Sequence, residues 1–531
     1  MSKKDKIMVD IYNAPVYGGI SKPPMGWSSW NCFKINIDEK QLLDIGDAMV
    51  KSGLKDAGYG FLNIDDCWHS SQRDEKGEWQ GDYQRFPSGI PYLISALNEK
   101  GLKVGLYSSN GTLTCEDLPA SLGREREDAY TLAKWGAEYF KYDFCHHRYI
   151  PINTPHIVKI ALNLGEFEVM CKAEEGKLLG KAKLAYKREV AYVKGLEKNR
   201  GMVSFTLEVP EDGEYALTLT YLKGSPKDAF IMARANGGKP LWLNIPACKI
   251  FNTYARVQTR ICLKKGVNTI DLFNPVSCRH DSAMLQYRNM GEMLKEAVKR
   301  VAEERGVPEK PIVYSICEWG YNKPYRWGKT AGNLWRTTPD IRPWWPWINI
   351  IYGHNVKLYK HSVKGGYNDP DMLEVGNGKL SYEENKAHFS LWCMMNAPLV
   401  LGNDLRKFIK ADGSADLDNP VLKILTNKEM IAINQDDLGV ACKPLSRSIF
   451  GDVLAKPLSD GHAVCLFNKS PFARKMTISL SSLAKDEYFA FAKKKGYKTR
   501  EIWSGIEGRT EDKISIKIKA HGCAVFKVVE E

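Results

Sequence analysis

The chain has 531 residues, 44% apolar and 26% charged, with 14 Trp, 25 Tyr and a formal net charge of +13. That length exceeds a single core and implies two to four domains. Lys and Arg are dispersed, the densest group being Lys493-Lys494-Lys495; with no basic stripe and no nucleic-acid motif, nucleic acid is excluded as a partner and the charge reads as a solvated face.

No apolar run approaches the roughly 18–20 residues needed to cross a bilayer, so no membrane partner is expected. The first residues lack the apolar core of a secretory signal. The 13 Cys are odd in number and widely spaced, without a CxxC pair. Reduced thiols and a cytoplasmic location are expected, a secreted one if a signal has been trimmed. The many aromatic rings suit pyranose faces and large cores equally well.

From about Met25 a helix of period 3.6 alternates with a short apolar run that ends in polar residues. A helix after Asn36 places Leu42, Ile45, Met49 and Val50 on one face, with Asp38 in its first turn. A strand Phe61-Leu62-Asn63-Ile64 then ends at Asp65-Asp66. A helix through Leu93, Ala96 and Leu97 leads to a strand from Leu102 to Tyr107. A third helix, Glu125 to Trp135, leads to a strand Tyr139–Tyr142 ending at Asp143. From about Arg148 to His280 the period becomes two: Val203, Phe205, Leu207 and Val209 alternate, a turn follows, and Tyr215, Leu217, Leu219 and Tyr221 alternate. Further strands fall near Ala229–Ala233, Ala255–Leu263 and Thr269–Phe273. The helical pattern returns through Met290, Met293, Leu294, Ala297, Val298 and Val301 and leads to a strand Ile312–Ser315. After Asn368-Asp369-Pro370-Asp371 come a helix near Glu383–Met394 and a strand Pro398–Leu401. Beyond Gly439 the pattern is all-β, with runs at Met476–Leu480 and Ile514–Ile518.

This order predicts the α/β class: a (β/α)8 TIM barrel over residues 22–148 and 281–430, after an N-terminal extension 1–21. A β-sandwich, 149–280, is inserted in the fourth βα connection, and a C-terminal antiparallel β-sandwich occupies 431–531. An open doubly wound sheet would also use strand C-termini, but no GxGxxG or Walker loop follows these strands.

In a barrel those strand ends converge on one face. Asp65, Asp66, Asp143, Glu318, Asp340, Asp369 and Asp371 are therefore candidates for the carboxyl pair of glycoside hydrolysis, roughly 5–5.5 Å apart when configuration is retained. The residues alone do not choose the pair. A hard-cation site and phosphoryl transfer remain rival readings, the second weakened by the missing phosphate loop.

Six segments carry a closer resemblance: Gly26-Trp27-Ser28-Ser29-Trp30-Asn31, Leu62-Asn63-Ile64-Asp65-Asp66-Cys67-Trp68, Lys141-Tyr142-Asp143-Phe144-Cys145, Ser315-Ile316-Cys317-Glu318-Trp319-Gly320, Trp335-Arg336-Thr337-Thr338-Pro339-Asp340-Ile341 and Asn368-Asp369-Pro370-Asp371-Met372. In content and order they resemble glycoside hydrolase family 27, over the barrel and C-terminal sandwich but not the insert. The resemblance implies a retaining α-galactosidase needing no cofactor, with Asp143 as nucleophile and Asp340 as general acid/base. Lys141 is implied as a substrate contact whose ammonium holds Asp143 ionised, and Asp340 must start protonated. Asp65 and Asp66 match the pair that holds the 4- and 6-hydroxyls. Trp30, Tyr107, Cys145, Arg336 and Asp371 are implied around the sugar. Large residues at Glu318 and Tyr321, small in the family's N-acetylgalactosaminidases, favour a free 2-hydroxyl and hence galactose. The intact Asp65-Asp66 pair favours a hexose.

The alternatives are a β-L-arabinopyranosidase, α-N-acetylgalactosaminidase or dextran-directed enzyme of the same family, or a non-catalytic sugar-binding protein. The expected partner is a galactose-containing oligosaccharide or glycoconjugate, with a homo-oligomer left open. Trp27 and Trp68 read as wall or core, and His146-His147 as a loop feature, because adjacent residues on an extended chain point to opposite sides. Against the disulfide pattern of the family's secreted members, only Cys115 and Cys145 remain as a matched pair, as a disulfide or as two thiols. The insert, with its Pro210–Tyr215 turn and Lys264–Pro275 ending, loosely resembles carbohydrate-binding modules of the family 6 and 35 type. By analogy it has room for a structural Ca2+; a scaffold at the active-site rim is the equal alternative.

Overall fold

A computed structural model describes residues 8–249, 252–491 and 496–530; Lys493-Lys494-Lys495 lie outside the described residues. The chain divides into two compact units, Met1–Ala14 with Arg148–Leu285, and Pro15–His147 with Gln286–Glu531.

The larger unit holds eight parallel strands: β1 (Met25–Ser28), β2 (Phe61–Asn63), β3 (Lys103–Ser109), β4 (Tyr139–Asp143), β5 (Val313–Ile316), β6 (Leu334–Arg336), β7 (Tyr367–Asp369) and β8 (Leu399–Leu401). They pair in the order β7-β6-β5-β4-β3-β2-β1-β8, and the parallel bridge Leu373–Leu401 closes the remaining gap beside β8. This is the (β/α)8 barrel expected from the alternation. Strands β1, β5, β6 and β8 are buried along their whole length, as strands covered on both faces must be.

The helices follow the sequence pattern closely. Helix α1 (Glu39–Lys51) starts where the Asp38 carboxylate accepts from Gln41 N and buries Leu42, Ile45 and Met49. Val50, expected on that face, is 38% exposed, because it lies about 80° round the helix from Leu42. Helices α2 (Ile90–Glu99) and α3 (Glu125–Trp135) follow β2 and β3; Gly136, left-handed at φ 89°, stops α3 before β4. After the insert α4 (Arg279–Arg305) leads to β5, α5 (Trp345–Asn355) to β7 and α6 (Tyr382–Met394) to β8. Between β5 and β6 two short 3-10 turns, Pro324–Arg326 and Gly328–Thr330, replace a helix.

The C-terminal part of the same unit is antiparallel: a six-stranded sheet from Lys443 to Glu530 and a two-stranded sheet of Arg474–Ser479 with Lys513–Ile518. Val464, Leu466, Phe489, Tyr497, Ile514 and Phe526 form its core.

The smaller unit is a two-sheet β structure of five and six strands. Phe205, Leu207, Leu217, Leu219, Ile270 and Leu272 fill one core between them, as their alternation predicts. The strands His156–Leu164, Phe167–Lys172, Lys177–Gly180, Lys183–Lys187, Val190–Lys194 and Leu241–Ile245 were not among those expected from the sequence. Residues of the expected N-terminal extension belong here too: the Asn199 side chain donates to Val9 O and accepts from Val9 N. No group of three metal-capable side chains lies in this unit among the described residues.

Candidate active site

Strand polarity places the ends of β1 to β8 on one face, and the polar residues there form a two-level cleft. The outer level, about 440 Å³, is bordered by Trp30, Asp65, Asp66, Tyr107, Lys141, Asp143, Arg336, Asp340 and Asp371, together with Asn31, Cys115, Trp319 and Met372. The inner level, about 490 Å³, shares Asp65, Lys141, Arg336 and Asp371 and adds Ser28, Asn63, Cys317 and Asp369.

Asp143, the last residue of β4, is buried. Its Oδ1 accepts from Phe144 N at 2.9 Å, and its carbonyl accepts from Tyr287 Oη at 2.9 Å and from Asn110 N at 2.8 Å. The side chain is thus aimed from a backbone held at both ends. Burial raises its carboxyl to about 6, although Lys141 pulls it down; Asp340 raises it further.

Lys141 and Asp143 point to the same side of β4, two residues apart. Lys141 Nζ nevertheless lies 2.9 Å from Asp65 Oδ2 and 4.0 Å from Asp143 Oδ2. Lys141 therefore acts to lower the Asp143 carboxyl, but from 4.0 Å rather than through its shortest contact. The ammonium spends its short contact on Asp65, and burial of Asp143 outweighs its longer-range pull. Burial acts to lower Lys141 itself, but Asp65, Cys317 and Asp143 together hold it well above the ordinary lysine range.

Asp340 lies in the loop after β6, and its side chain is 64% exposed. Its Oδ1 accepts from Arg336 Nη2 at 2.9 Å. Partial burial pushes its carboxyl up, but Arg336 and Lys141 outweigh this and hold it below the usual range. The expectation of a protonated Asp340 does not describe the open cleft: the guanidinium favours the anion.

Arg336 ends β6, fully buried, and its Nη2 also meets Asp371 Oδ2 at 2.9 Å. Asp371, at φ 84°, accepts from Ile341 N on Oδ2 and from Met372 N on Oδ1. A left-handed aspartate held by its own hydrogen bonds is local strain at a site. It ties the loop after β7 to the one that carries Asp340.

Asp65 and Asp66 end the β2 segment. Asp65 Oδ2 also accepts from Ser28 Oγ at 3.3 Å, and its Oδ1 from Asp66 N at 3.0 Å. Asp66 accepts from Cys67 N and Glu116 N; burial raises it to about 6. Tyr107 Oη donates to Cys115 Sγ at 3.2 Å, and the Lys141 ammonium lies 5.2 Å from its ring centroid. Trp30 forms an outer wall, with the Lys34 ammonium 5.1 Å from its ring centroid.

Three expected contacts fall elsewhere. Glu318 is buried, but its Oε2 accepts from Asn322 N and Nδ2, and it borders neither level of the cleft. The alternation along β5 explains this: Ser315 and Cys317 line the inner level, so Glu318 faces the other way. Tyr321 is 66% exposed and is also outside the cleft lining. The left-handed turn of Trp319 and Gly320, φ 54° and 83°, brings Trp319 to the cleft in their place. Cys145 is joined to Cys115 in a disulfide, and Cys115 is the partner at the cleft wall. The cluster Cys115, Asp143, Cys145 is the one group of three metal-capable side chains among the described residues. With both sulfurs bonded to each other, it offers no thiolate.

His146 Nε2 lies 2.9 Å from Asp117 Oδ1, and His147 stacks on Phe144 at 3.8 Å. Trp27 and Trp68 are fully buried. Leu106, Tyr139, Pro398 and Val400 of the inner level lie outside the six sequence segments, whereas Asn31, Asn63, Trp319, Met372 and Asp369, the last already a carboxyl candidate, sit inside them. Their signal was the segment itself, and only β-strand parity sorts cleft from core within it.

A sequence profile described as alpha galactosidase A matches residues 22–173 and 270–436. A second, described as the alpha galactosidase C-terminal beta sandwich domain, matches 451–528. The chain is 30% identical over 522 residues to alpha-galactosidase A of Cellvibrio japonicus, covering 95% of this chain and 91% of that one. Among solved structures it is similar to alpha-galactosidase I from Mortierella vinacea, with TM-score 0.65 and 24% identity, covering 97% and 98% of the two chains. It is also similar to a putative alpha-galactosidase/melibiase from Bacteroides fragilis, with TM-score 0.63 and 26% identity, covering 97% of this chain and 80% of that one.

Proposed function

The chain belongs to the α-galactosidase family, glycoside hydrolase family 27, and from that premise we propose how its cleft removes terminal α-D-galactosyl residues, with Asp143 as nucleophile and Asp340 as general acid/base. The observation that carries the reading is the convergence of a buried carboxyl at the end of β4 and a half-open one after β6 on a single cleft.

In this reading the Asp143 carboxylate attacks the anomeric carbon from the β face while Asp340 gives its proton to the departing oxygen. Asp340 then takes a proton from the water that cleaves the galactosyl ester. The open cleft favours the opposite proton placement, on Asp143. A galactoside that covers the exposed face of Asp340 strips its water and moves it toward the neutral form. Asp65 and Asp66 accept from the 4- and 6-hydroxyls, and the Lys141 ammonium orients Asp65. Arg336 and Asp371 set the Asp340 loop, and Trp30, Tyr107 and Trp319 wall the ring. The substrate is a galactose-containing oligosaccharide or glycoconjugate.

No helix among the described residues is long and apolar enough to cross a membrane. Eleven free cysteines suit a reducing compartment, where the Cys115–Cys145 disulfide would have to persist against reduction.

Azide rescue tests the pair. Asp143→Gly should lose turnover of aryl α-galactosides and regain it with azide as the β-galactosyl azide. Asp340→Gly should yield the α-galactosyl azide from an activated substrate. Exchanged products, or full activity in either variant without azide, would overturn the assignment.

A further inference from the structure

We propose that a groove beside the catalytic loop, floored by Trp344, binds a sugar unit of the substrate's aglycone; the inference rests on the α-galactosidase reading above. The groove lies open to solvent between the start of α5 and the C-terminal sheet domain, and shares no lining residue with the catalytic cleft.

Trp344 is 60% exposed in an otherwise tightly bonded segment. Its backbone is extended at φ −136° and ψ 118°, at the N-cap of α5. Its N–H donates to Arg342 O at 2.7 Å, and its carbonyl accepts from Trp347 N at 3.0 Å. The indole is thus presented to solvent by a fixed backbone. An exposed large aromatic face held in this way suits the C–H face of a pyranose and costs little ordering entropy on binding.

Polar groups line and underlie the groove as well. Trp345 Nε1 is a buried donor without a partner, and Asn349 Oδ1 is a buried acceptor without one; both residues line the groove. Lys379, an exposed residue of the groove lining, forms no ion pair among those the structure shows. Buried polar atoms are normally satisfied. At the groove surface the Lys379 ammonium can donate to a ligand hydroxyl, whereas the Trp345 and Asn349 atoms lie beneath it, out of reach of solvent. The acid in the groove, Glu384, is already engaged by His521 Nδ1 at 2.7 Å and Ser381 N at 2.8 Å.

Position identifies which part of the substrate reaches it. Pro343 and Trp344 follow Asp340 by three and four residues, a span of at most about 14 Å of chain. Trp347 Nε1 donates to Asp340 O at 2.8 Å. Gly378 packs so closely on Pro343 that a Cβ would meet its carbonyl at 2.6 Å, which fixes Lys379 beside Trp344. Asp340 protonates the leaving oxygen, so the aglycone departs on the side of the Asp340 loop. The sugar on Trp344 is therefore an aglycone unit, beyond the one bonded to galactose.

The test is a ladder of terminal α-galactosides, namely p-nitrophenyl α-galactoside, melibiose, raffinose and stachyose, assayed with the whole chain and with Trp344→Ala and Lys379→Ala. The expected result is a kcat/KM that rises with aglycone length among the sugars. The stachyose-to-melibiose ratio should fall about tenfold in Trp344→Ala and severalfold in Lys379→Ala. The exposed Lys379 site keeps the test open if Trp344→Ala does not fold. A ratio unchanged in the folded variants, or a flat ladder in the parent chain with p-nitrophenyl α-galactoside turned over, overturns the groove assignment alone. No turnover of any member overturns the α-galactosidase reading and this inference with it.

Discussion

Arg336 Nη2 lies 2.9 Å from Asp340 Oδ1, so the group proposed to give up a proton rests against a permanent cation. The same guanidinium nitrogen also holds Asp371, while Nη1 meets Cys317 Sγ at 3.6 Å, so the planar fork is anchored on both arms. Arg336→Lys keeps the charge and loses the fork. Its kcat/KM should fall on the order of 10–100-fold, with the acid limb of the pH profile shifted upward as Asp340 escapes the guanidinium. A profile that keeps its shape would show that Arg336 does not set the proton affinity of Asp340.

The proton placement makes leaving-group chemistry diagnostic. Asp143, raised to about 6, must be ionised to attack, and Asp340, held low, must be protonated to assist. With galactosyl fluoride, which needs no acid, kcat/KM should rise through about pH 6 to a plateau. With melibiose it should form a bell that declines above about pH 6, because only the singly protonated site is competent and its proton prefers Asp143. Superimposable profiles for the two substrates would remove Asp340 as the acid.

Glu318 sits outside the cleft, and burial raises it to about 8. A carboxyl raised in the fold contributes stability that is full below its unfolded value of 4.5 and is lost as pH rises through about 8. At about 1.4 kcal/mol per unit, this side chain costs the folded state roughly 3–5 kcal/mol by pH 8. Glu318→Gln keeps the acceptor for Asn322 and places an amide where Oε1 has no partner. The variant's Tm should exceed that of the parent chain by a margin that grows from pH 5 to pH 8. A constant margin would mean that Glu318 does not titrate in this range.

The Cys115–Cys145 bond closes a 30-residue separation, for which loop entropy gives about 3–4 kcal/mol. Cys115 also receives the Tyr107 hydroxyl at the cleft wall. Cys145→Ser should lower Tm and raise KM more than it lowers kcat, because the wall loosens while the β4 carboxyl keeps its backbone anchors. An unchanged Tm would show that the bond is absent in the working protein.

Much of the scaffold was legible in the sequence because it obeys short periods. Glu125–Trp135 and Tyr139–Asp143 appear as a helix and a strand because apolar spacing and Gly136 mark both ends of that helix. Alternation from Val203 to Tyr221 exposed the insert's core strands. The strand Lys183–Lys187, at a sheet edge, was hidden because Leu184 alone of its residues packs on the core, too short a signal to show alternation. The order of strand-end carboxylates, with Asp65, Asp143, Asp340 and Asp371 inside recurrent segments, brought the cleft itself within reach of sequence alone.

Tertiary structure decided what each of those carboxylates experiences. That Lys141 meets Asp65 before Asp143 depends on how β2 and β4 sit across the barrel. That Glu318 points away while Trp319 enters depends on strand parity ending in a left-handed turn. The residue types at the strand ends determined which chemistry is available. The proton balance between Asp143 and Asp340 arose only from burial and from charges brought close by the fold, because electrostatic energy depends on distance and solvent access, and neither is written along the chain.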